Sequence, residues 1–230
     1  IASLHGTASV SDLDQDGDID VLLDWTDGIK WYENNGSQSF TAQTVYSNTG
    51  SGWVDGVIAI DMDQDGDIDL VGGVIGDQDG NDNVVWHENN GSESFTAHTI
   101  ATSITGIQSI DAVDVDSDGD IDVLSASNGE NSVDSELVWY ENNGLQSFTT
   151  HTITSFEDGF KDLTAADIDG DGDIDIASAA SDDDNDNAAT WIWFENNGSE
   201  SFTIHEVSLE FGGYGGNEIE IKDLDQDGDM

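Results

Sequence analysis

One pattern, Asp-x-Asp-x-Asp-Gly-Asp-x-Asp, begins at Asp12, Asp61, Asp114 and Asp167, and its first eight residues recur from Asp223 to Met230. The intervals are 49, 53, 53 and 56 residues. A second marker, Trp-x-Glu-Asn-Asn-Gly, keeps step from Trp31, Trp86, Trp139 and Trp193 at intervals of 55, 53 and 54. Two unrelated markers with one period define a structural repeat, and a period near 50 is that of propeller-type β repeats. Each unit must then fold the same way and bury its apolar faces against its neighbours.

Within a unit the pattern is strand-like. In the second, GVIAIDM runs into the acidic stretch and IDLVGGV runs out of it; NVVWHE then leads to Asn89-Asn90-Gly91, and SFTAHTI leads away. These runs are short, rich in β-branched residues and bounded by turn formers, and no apolar spacing of helical period is sustained. The order is strand A, acidic loop, strand B, longer loop, strand C, turn, strand D. Asn-Gly between two alternating runs predicts a type I′ hairpin turn. The expected fold is all-β, a β-propeller-type repeat of four-stranded antiparallel blades. Blades 1 to 4 occupy residues 1–50, 51–103, 104–156 and 157–209, and 210–230 begins a fifth, all in one repeat domain. A strand from Glu218 to Lys222 without a following partner leaves an open edge, so a longer repeat chain or assembly is expected around these residues.

Alternation also sorts the side chains. Trp31, Trp86, Trp139 and Trp193 share a face with Ile29, Val84, Leu137 and Trp191, and are expected to pack between neighbouring blades. Phe40, Phe95, Phe148 and Phe202 recur just after each turn. Trp25 and Trp53 fall outside the repeat and are the candidates for a surface role. His98, His151 and His205 hold one recurring position that is Gln43 in the first unit, which argues for a structural or solvent-facing part rather than a ligand.

The acidic loop asks for a hard cation. Five carboxylates within nine residues repel one another, and oxygen donors on alternate residues suit calcium, which takes 6–8 oxygens at roughly 2.3–2.6 Å. In the first loop Asp12, Asp14 and Asp16 supply side-chain oxygens at positions one, three and five. Gly17 permits the sharp turn, Asp18 binds through its carbonyl, and Asp20 closes the site at position nine. Ile19, like Ile68, Ile121 and Ile174, points the other way and is expected to pin the loop to the core. Magnesium demands a tighter octahedron, and zinc or copper would want His or Cys, which the loops lack. An EF-hand needs Glu at position twelve, where these loops have Leu23, Gly72, Ser125 and Ser178.

With 51 acidic against 3 basic residues, the formal net charge of −48 excludes nucleic acid and anionic membrane surfaces as partners. No apolar run approaches the ~20 residues of a membrane span, so membrane insertion is not expected. Cys is absent, so no disulfide staples the fold. The sequon matches at Asn35, Asn90 and Asn197 are already explained by the turn, which Asn143-Gly144-Leu145 keeps without one.

Asp-x-Asp-x-Asp-Gly-Asp-x-Asp between two β-strands, repeated every fifty-odd residues across the chain, resembles the FG-GAP/VCBS repeats, nearer the bacterial VCBS type. The resemblance implies a propeller with calcium in the loop joining the first two strands of each blade. Carried over loop by loop, it implies ligands at Asp61, Asp63, Asp65, Asp67 and Asp69; at Asp114, Asp116, Asp118, Asp120 and Asp122; and at Asp167, Asp169, Asp171, Asp173 and Asp175. The fifth loop offers Asp223, Asp225, Asp227 and Asp229 but ends before position nine. Four calcium ions are expected, one per complete loop. No Ser/His/Asp or Cys/His set stands outside the repeated positions, so no enzyme is expected. The function read from the sequence is an extracellular or cell-surface calcium-binding scaffold or adhesion module, with other protein subunits or glycans as partners; the alternative is a carbohydrate-binding module accessory to a secreted enzyme.

Overall fold

The computed structural model describes residues 8–25, 28–37, 39–47, 53–76, 82–92, 94–129, 135–156, 159–181, 189–199, 201–207 and 219–222. The fifth acidic loop, with Asp223, Asp225, Asp227 and Asp229, lies outside the described residues, as does the side chain of Trp25. The described residues form sixteen strands and no helix. The first sheet is β1 (Ala8–Ser11), β2 (Asp20–Trp25), β3 (Gly28–Asn34) and β4 (Phe40–Ser47); the second is β5 (Trp53–Ile60), β6 (Asp69–Ile75), β7 (Asp82–Asn89) and β8 (Phe95–Ile104). The third is β9 (Ile107–Val113), β10 (Asp122–Ser127), β11 (Ser135–Asn142) and β12 (Phe148–Phe156); the fourth is β13 (Gly159–Ala166), β14 (Asp175–Ser181), β15 (Ala189–Asn196) and β16 (Phe202–Val207). Each sheet is an antiparallel meander in chain order.

Burial follows strand position. The second strands β6 and β10 are buried throughout, as strands covered on both faces are; β6 is a largely apolar run, whereas β10 also buries Ser125 and Ser127. The outer strands β4, β8 and β12 alternate between exposed and half-buried positions, with most of their Thr residues outward.

The chain divides into two compact units, Ile1–Ile107 and Gln108–Met230. In the first, Leu13, Leu22, Ile29 and Trp31 of the first sheet pack against Val54, Val57, Leu70, Val74 and Val85 of the second. In the second unit, Val115, Leu124, Ala126, Leu137 and Trp139 pack against Phe160, Leu163, Ile176, Ala180, Ile192 and Phe194. Trp31 and Trp139 thus lie between neighbouring sheets, as their register predicts; burial of a large apolar side chain contributes about 1.5–3 kcal/mol.

Two local expectations need correction. The C-to-D connection is not a two-residue type I′ turn. It runs from Asn35 to Ser39, with the Asn35 N–H donating to the Ser39 carbonyl at 3.1 Å, and the same bond recurs in the other three sheets. Gly36 takes φ +69° while Asn35 does not adopt positive φ. The Asn35 carboxamide instead accepts from the Ser37 N–H at 3.0 Å, so the turn is held by side-chain acceptors. The loop anchor differs in the first loop, where Ile19 is 55 % exposed; Ile68 packs against the core as expected, and position two is buried as well, with Leu13, Met62 and Val115 each 2 % exposed.

Candidate metal-binding loops

Each acidic loop joins the first strand of a sheet to the second, and its own carboxylates shape it. The position-one oxygen accepts from the position-six glycine N–H: Gly17 to Asp12 at 3.1 Å, Gly66 to Asp61 at 3.1 Å, Gly119 to Asp114 at 3.0 Å and Gly172 to Asp167 at 3.1 Å. Position three accepts from the N–H of position five, and position five from that of position seven, as in Asp65 to Asp63 (3.2 Å) and Asp67 to Asp65 (2.9 Å). The backbone is left-handed at two places per loop. The position-six glycines have φ between +96° and +101°, and position four is held near +60° by Gln15, Gln64 and Ser117, with Gly170 in the fourth loop.

Asp at position nine is the structural keystone. Asp20, Asp69, Asp122 and Asp175 are fully buried at the start of the second strand. One oxygen accepts from the position-two N–H at 3.1 Å in every loop. The other accepts from the backbone N–H of Asn34, Asn89, Asn142 or Asn196 at 2.7, 2.7, 2.7 and 2.8 Å. Those asparagines complete the connection: each side-chain amide donates to the position-eight carbonyl at 3.0–3.1 Å, and each amide oxygen accepts from the turn glycine. Acidic loop and C-to-D turn therefore form one hydrogen-bonded body. The asparagine's role was not read from the sequence. Its signal was present, since a turn alone needs one Asn before Gly and every repeat has two.

Carboxylate oxygens converge within 4.8 Å in each described loop: Asp12, Asp14 and Asp16; Asp61, Asp63 and Asp69; Asp114, Asp116 and Asp122; Asp167, Asp169 and Asp175. Positions one and three belong to every group. Position five joins only in the first loop, while Asp65, Asp118 and Asp171 are exposed outside their groups; Asp20 is outside the first. Asp18, Asp67, Asp120 and Asp173 turn away at position seven, their carboxylates lying so close to Gly36, Gly91, Gly144 and Gly198 that a Cβ there would collide.

The electrostatics oppose ionisation. Burial pushes Asp69 up to about 6 and Asp122 up to about 7, against the backbone hydrogen bonds they accept. Burial raises Asp175 as well, and burial together with neighbouring carboxylates raises Asp14, Asp63 and Asp116. The indole N–H groups of Trp86 and Trp139 favour the charged forms of Asp69 and Asp122 but are not aligned well enough for full hydrogen bonds. Asp12 Oδ1 and Asp61 Oδ1 are buried without a hydrogen-bond partner. A cation among these oxygens would satisfy them and reverse the repulsion. Oxygen-only donors on a winding loop fit calcium.

The recurring histidines stack on the tryptophans across the strand pair, with centroids 4.7 Å apart for Trp86–His98, 4.6 Å for Trp139–His151 and 4.5 Å for Trp193–His205. Each also meets the glutamate of the second marker at 2.6 Å: Glu88, Glu141 and Glu195. Their structural part agrees with the sequence reading.

Four-stranded meanders repeated with an acidic loop between their first two strands define a β-repeat protein with candidate cation sites. The FG-GAP-like repeat model matches residues 12–72, 73–125, 114–178 and 167–230, and the chain belongs to that family. No curated protein matches the sequence. Among solved structures, the chain is similar to an Agrocybe aegerita lectin described as recognising non-reducing terminal N-acetylglucosamine, with TM-score 0.58 and 18 % identity over 88 % of this chain and 52 % of that one. It is also similar to AofleA from Arthrobotrys oligospora, with TM-score 0.54 and 11 % identity over 89 % of this chain and 57 % of that one. The chain thus spans about half the length of each, and at these identities the likeness is one of fold.

Proposed function

We propose that this chain is an extracellular β-propeller-type module that binds one calcium ion in each complete acidic loop and serves as a non-catalytic scaffold or adhesion unit. The observation that carries the reading is the convergence of three carboxylates within 4.8 Å in each of four loops. Positions one and three of each loop would hold the ion, joined by position nine in the later three loops and by Asp16 in the first. The position-seven residue would contribute its carbonyl. The family membership and the fold likeness support the propeller arrangement. An extracellular setting supplies the calcium that modest sites of this kind require.

The test is thermal unfolding in calcium and in EDTA, with calorimetric titration of the calcium-free protein. A ligand at a hundredfold excess over Kd stabilises the native state by about 2.7 kcal/mol per site. Four independent sites would then contribute on the order of 11 kcal/mol, comparable to the whole stability of an ordinary domain. The expected result is a large fall in melting temperature on chelation and heat of binding on calcium addition. Coincident melting curves together with no binding heat would refute the reading.

A second reading, glycan binding, is favoured by two equivalent cavities between neighbouring sheets. One of about 140 Å³ is lined by Asp14, Trp31, Asp67, Asn89 and Ser92; one of about 120 Å³ is lined by Asp116, Trp139, Asp173, Asn196 and Ser199. Hydrogen-bonding side chains from both sheets line these cavities and suit the hydroxyls of a sugar. Trp53, 40 % exposed, is the described candidate for an outer platform. Glycan-array binding weakened by Ser92→Trp, which fills the first cavity, would support this reading, and an array without signal would refute it.

A further inference from the structure

The two asparagines of each C-to-D turn have different surroundings. The first of each pair is tied to the acidic loop by its side-chain amide. The second, at Asn35, Asn90, Asn143 or Asn197, is exposed together with the glycine that follows it. Glycine has no Cβ to shield its backbone nitrogen, so that nitrogen is open to the neighbouring carboxamide carbon. In each turn the carboxamide oxygen accepts from the N–H two residues on, at 3.0 Å for Asn35, Asn90 and Asn143 and 3.1 Å for Asn197. Such a bond folds the side chain back along the main chain, over the glycine nitrogen.

Two of the turns add a hydroxyl. Ser37 Oγ donates to the Asn35 oxygen at 2.8 Å, and Ser199 Oγ to the Asn197 oxygen at 2.6 Å. Among the described residues, the donors to the other two are backbone N–H groups: Ser92 to Asn90, and Leu145 and Ser147 to Asn143, the last at 3.3 Å. A hydroxyl rotates to follow its acceptor, whereas a backbone N–H is fixed in direction.

We propose that Asn35 and Asn197 are sites of spontaneous deamidation through a cyclic imide, and that Ser37 and Ser199 promote it by stabilising the oxyanion. The Gly36 nitrogen gives its proton to hydroxide from the solvent and bonds to Cγ of Asn35, and the carbonyl electron pair moves to Oδ1. There the Ser37 N–H and hydroxyl hold the negative charge. When the carbonyl reforms, the Cγ–Nδ2 bond breaks and Nδ2 takes a proton from water and leaves as ammonia. Water then opens the imide at either carbonyl, giving aspartate or isoaspartate. The isoaspartyl product carries an extra methylene in the main chain. It falls between the Asn35 N–H that bonds the Ser39 carbonyl and the Gly36 that rests against Asp18, so modification loosens the turn from the acidic loop.

Peptide mapping by mass spectrometry tests this on the folded full chain, incubated warm in calcium at mildly alkaline pH. Deamidation adds one mass unit. Asn35 and Asn197 are expected to convert about tenfold faster than Asn90 and Asn143, a smaller gain than a buried oxyanion donor gives because these turns are exposed. Ser37→Ala should slow Asn35 by about the same factor while Asn197, in the same molecule, keeps its rate and reports that the chain is folded. Ser37→Thr retains the hydroxyl and should retain the Asn35 rate. In denaturant, where these contacts are lost, the four rates should draw together. The isolated isoaspartyl-35 fraction should melt below fresh protein. Equal rates at the four turns of the folded chain would overturn the proposal, as would no conversion at Asn35 and Asn197 or an undiminished Asn35 rate in Ser37→Ala. An isoaspartyl fraction that melts with fresh protein would overturn the loosening.

Discussion

Replacing His87 with Phe should remove a pH-dependent part of the stability. His87 is 2 % exposed in β7, its Nε2 has no hydrogen-bond partner, and its ring lies 5.1 Å from that of Tyr46. Burial, with a smaller repulsion from His98, lowers its pKa from 6.5 to about 4. The imidazole is therefore neutral in the native protein over a range where the unfolded chain binds a proton. In that window the unfolded state holds more protons, so native stability falls as pH drops below 6.5 and this contribution levels off below about 4. At about 1.36 kcal/mol per pKa unit, the whole window is worth about 3 kcal/mol. For a chain of this size that corresponds to about 6–12 °C in melting temperature. The same register position is Tyr32, Tyr140 and Phe194 in the other sheets, and Phe194 is fully buried there, so Phe fits the site. Melting of wild type and His87→Phe, followed from pH 7.5 to 4 in saturating calcium, isolates the effect, because carboxylate titration is common to both. The variant should gain on wild type steadily as pH falls through the window, and at pH 7.5 it should be at least as stable. A difference that stays flat with pH would refute the reasoning.

Asn142→Ala deletes the amide that joins the Ile121 carbonyl to the Gly144 N–H, and should cost about 2–4 kcal/mol by chemical denaturation from two lost bonds and the groups they leave unpaired. Ser117→Gly should stabilise by about 0.5–1 kcal/mol, because Ser117 is held at φ +60°, where Gly170 already stands in the fourth loop. Asp116→Ala should weaken calcium binding at the third loop far more than Asp120→Ala, by calorimetry, because Asp116 belongs to the converging group and the Asp120 carboxylate rests on Gly144. Gly91→Ala should lower the melting temperature by a few degrees, since φ +67° is strained for a residue with a Cβ and the Asp67 carboxylate would have to move aside.

The strands, their order and the four acidic loops were legible in the sequence, because each depends on neighbours a few residues apart. Alternation sets which side chains share a face, and a repeated alternate-acid motif has few physical uses. That is why the carboxylates at positions one and three, and at position nine in three of the loops, could be expected to converge. Local spacing does not reveal what meets a side chain from a distant part of the chain. Asp122 and Asn142 are twenty residues apart, and their bond exists because the second and third strands pair in one register. The misread turn has the same origin: Asn-Gly alone allows a two-residue hairpin, but the Asn34 amide is committed to the loop across the sheet, and the connection widens to suit it. Ile19 gives the clearest division. Positions two and eight have the same parity, so sequence alone assigns both to a core. Leu13 at position two is covered by the second sheet, whereas Ile68 at position eight is covered by the first. Burial of an apolar side chain is fixed by the surface laid over it, and for Ile19 no such surface is among the described residues.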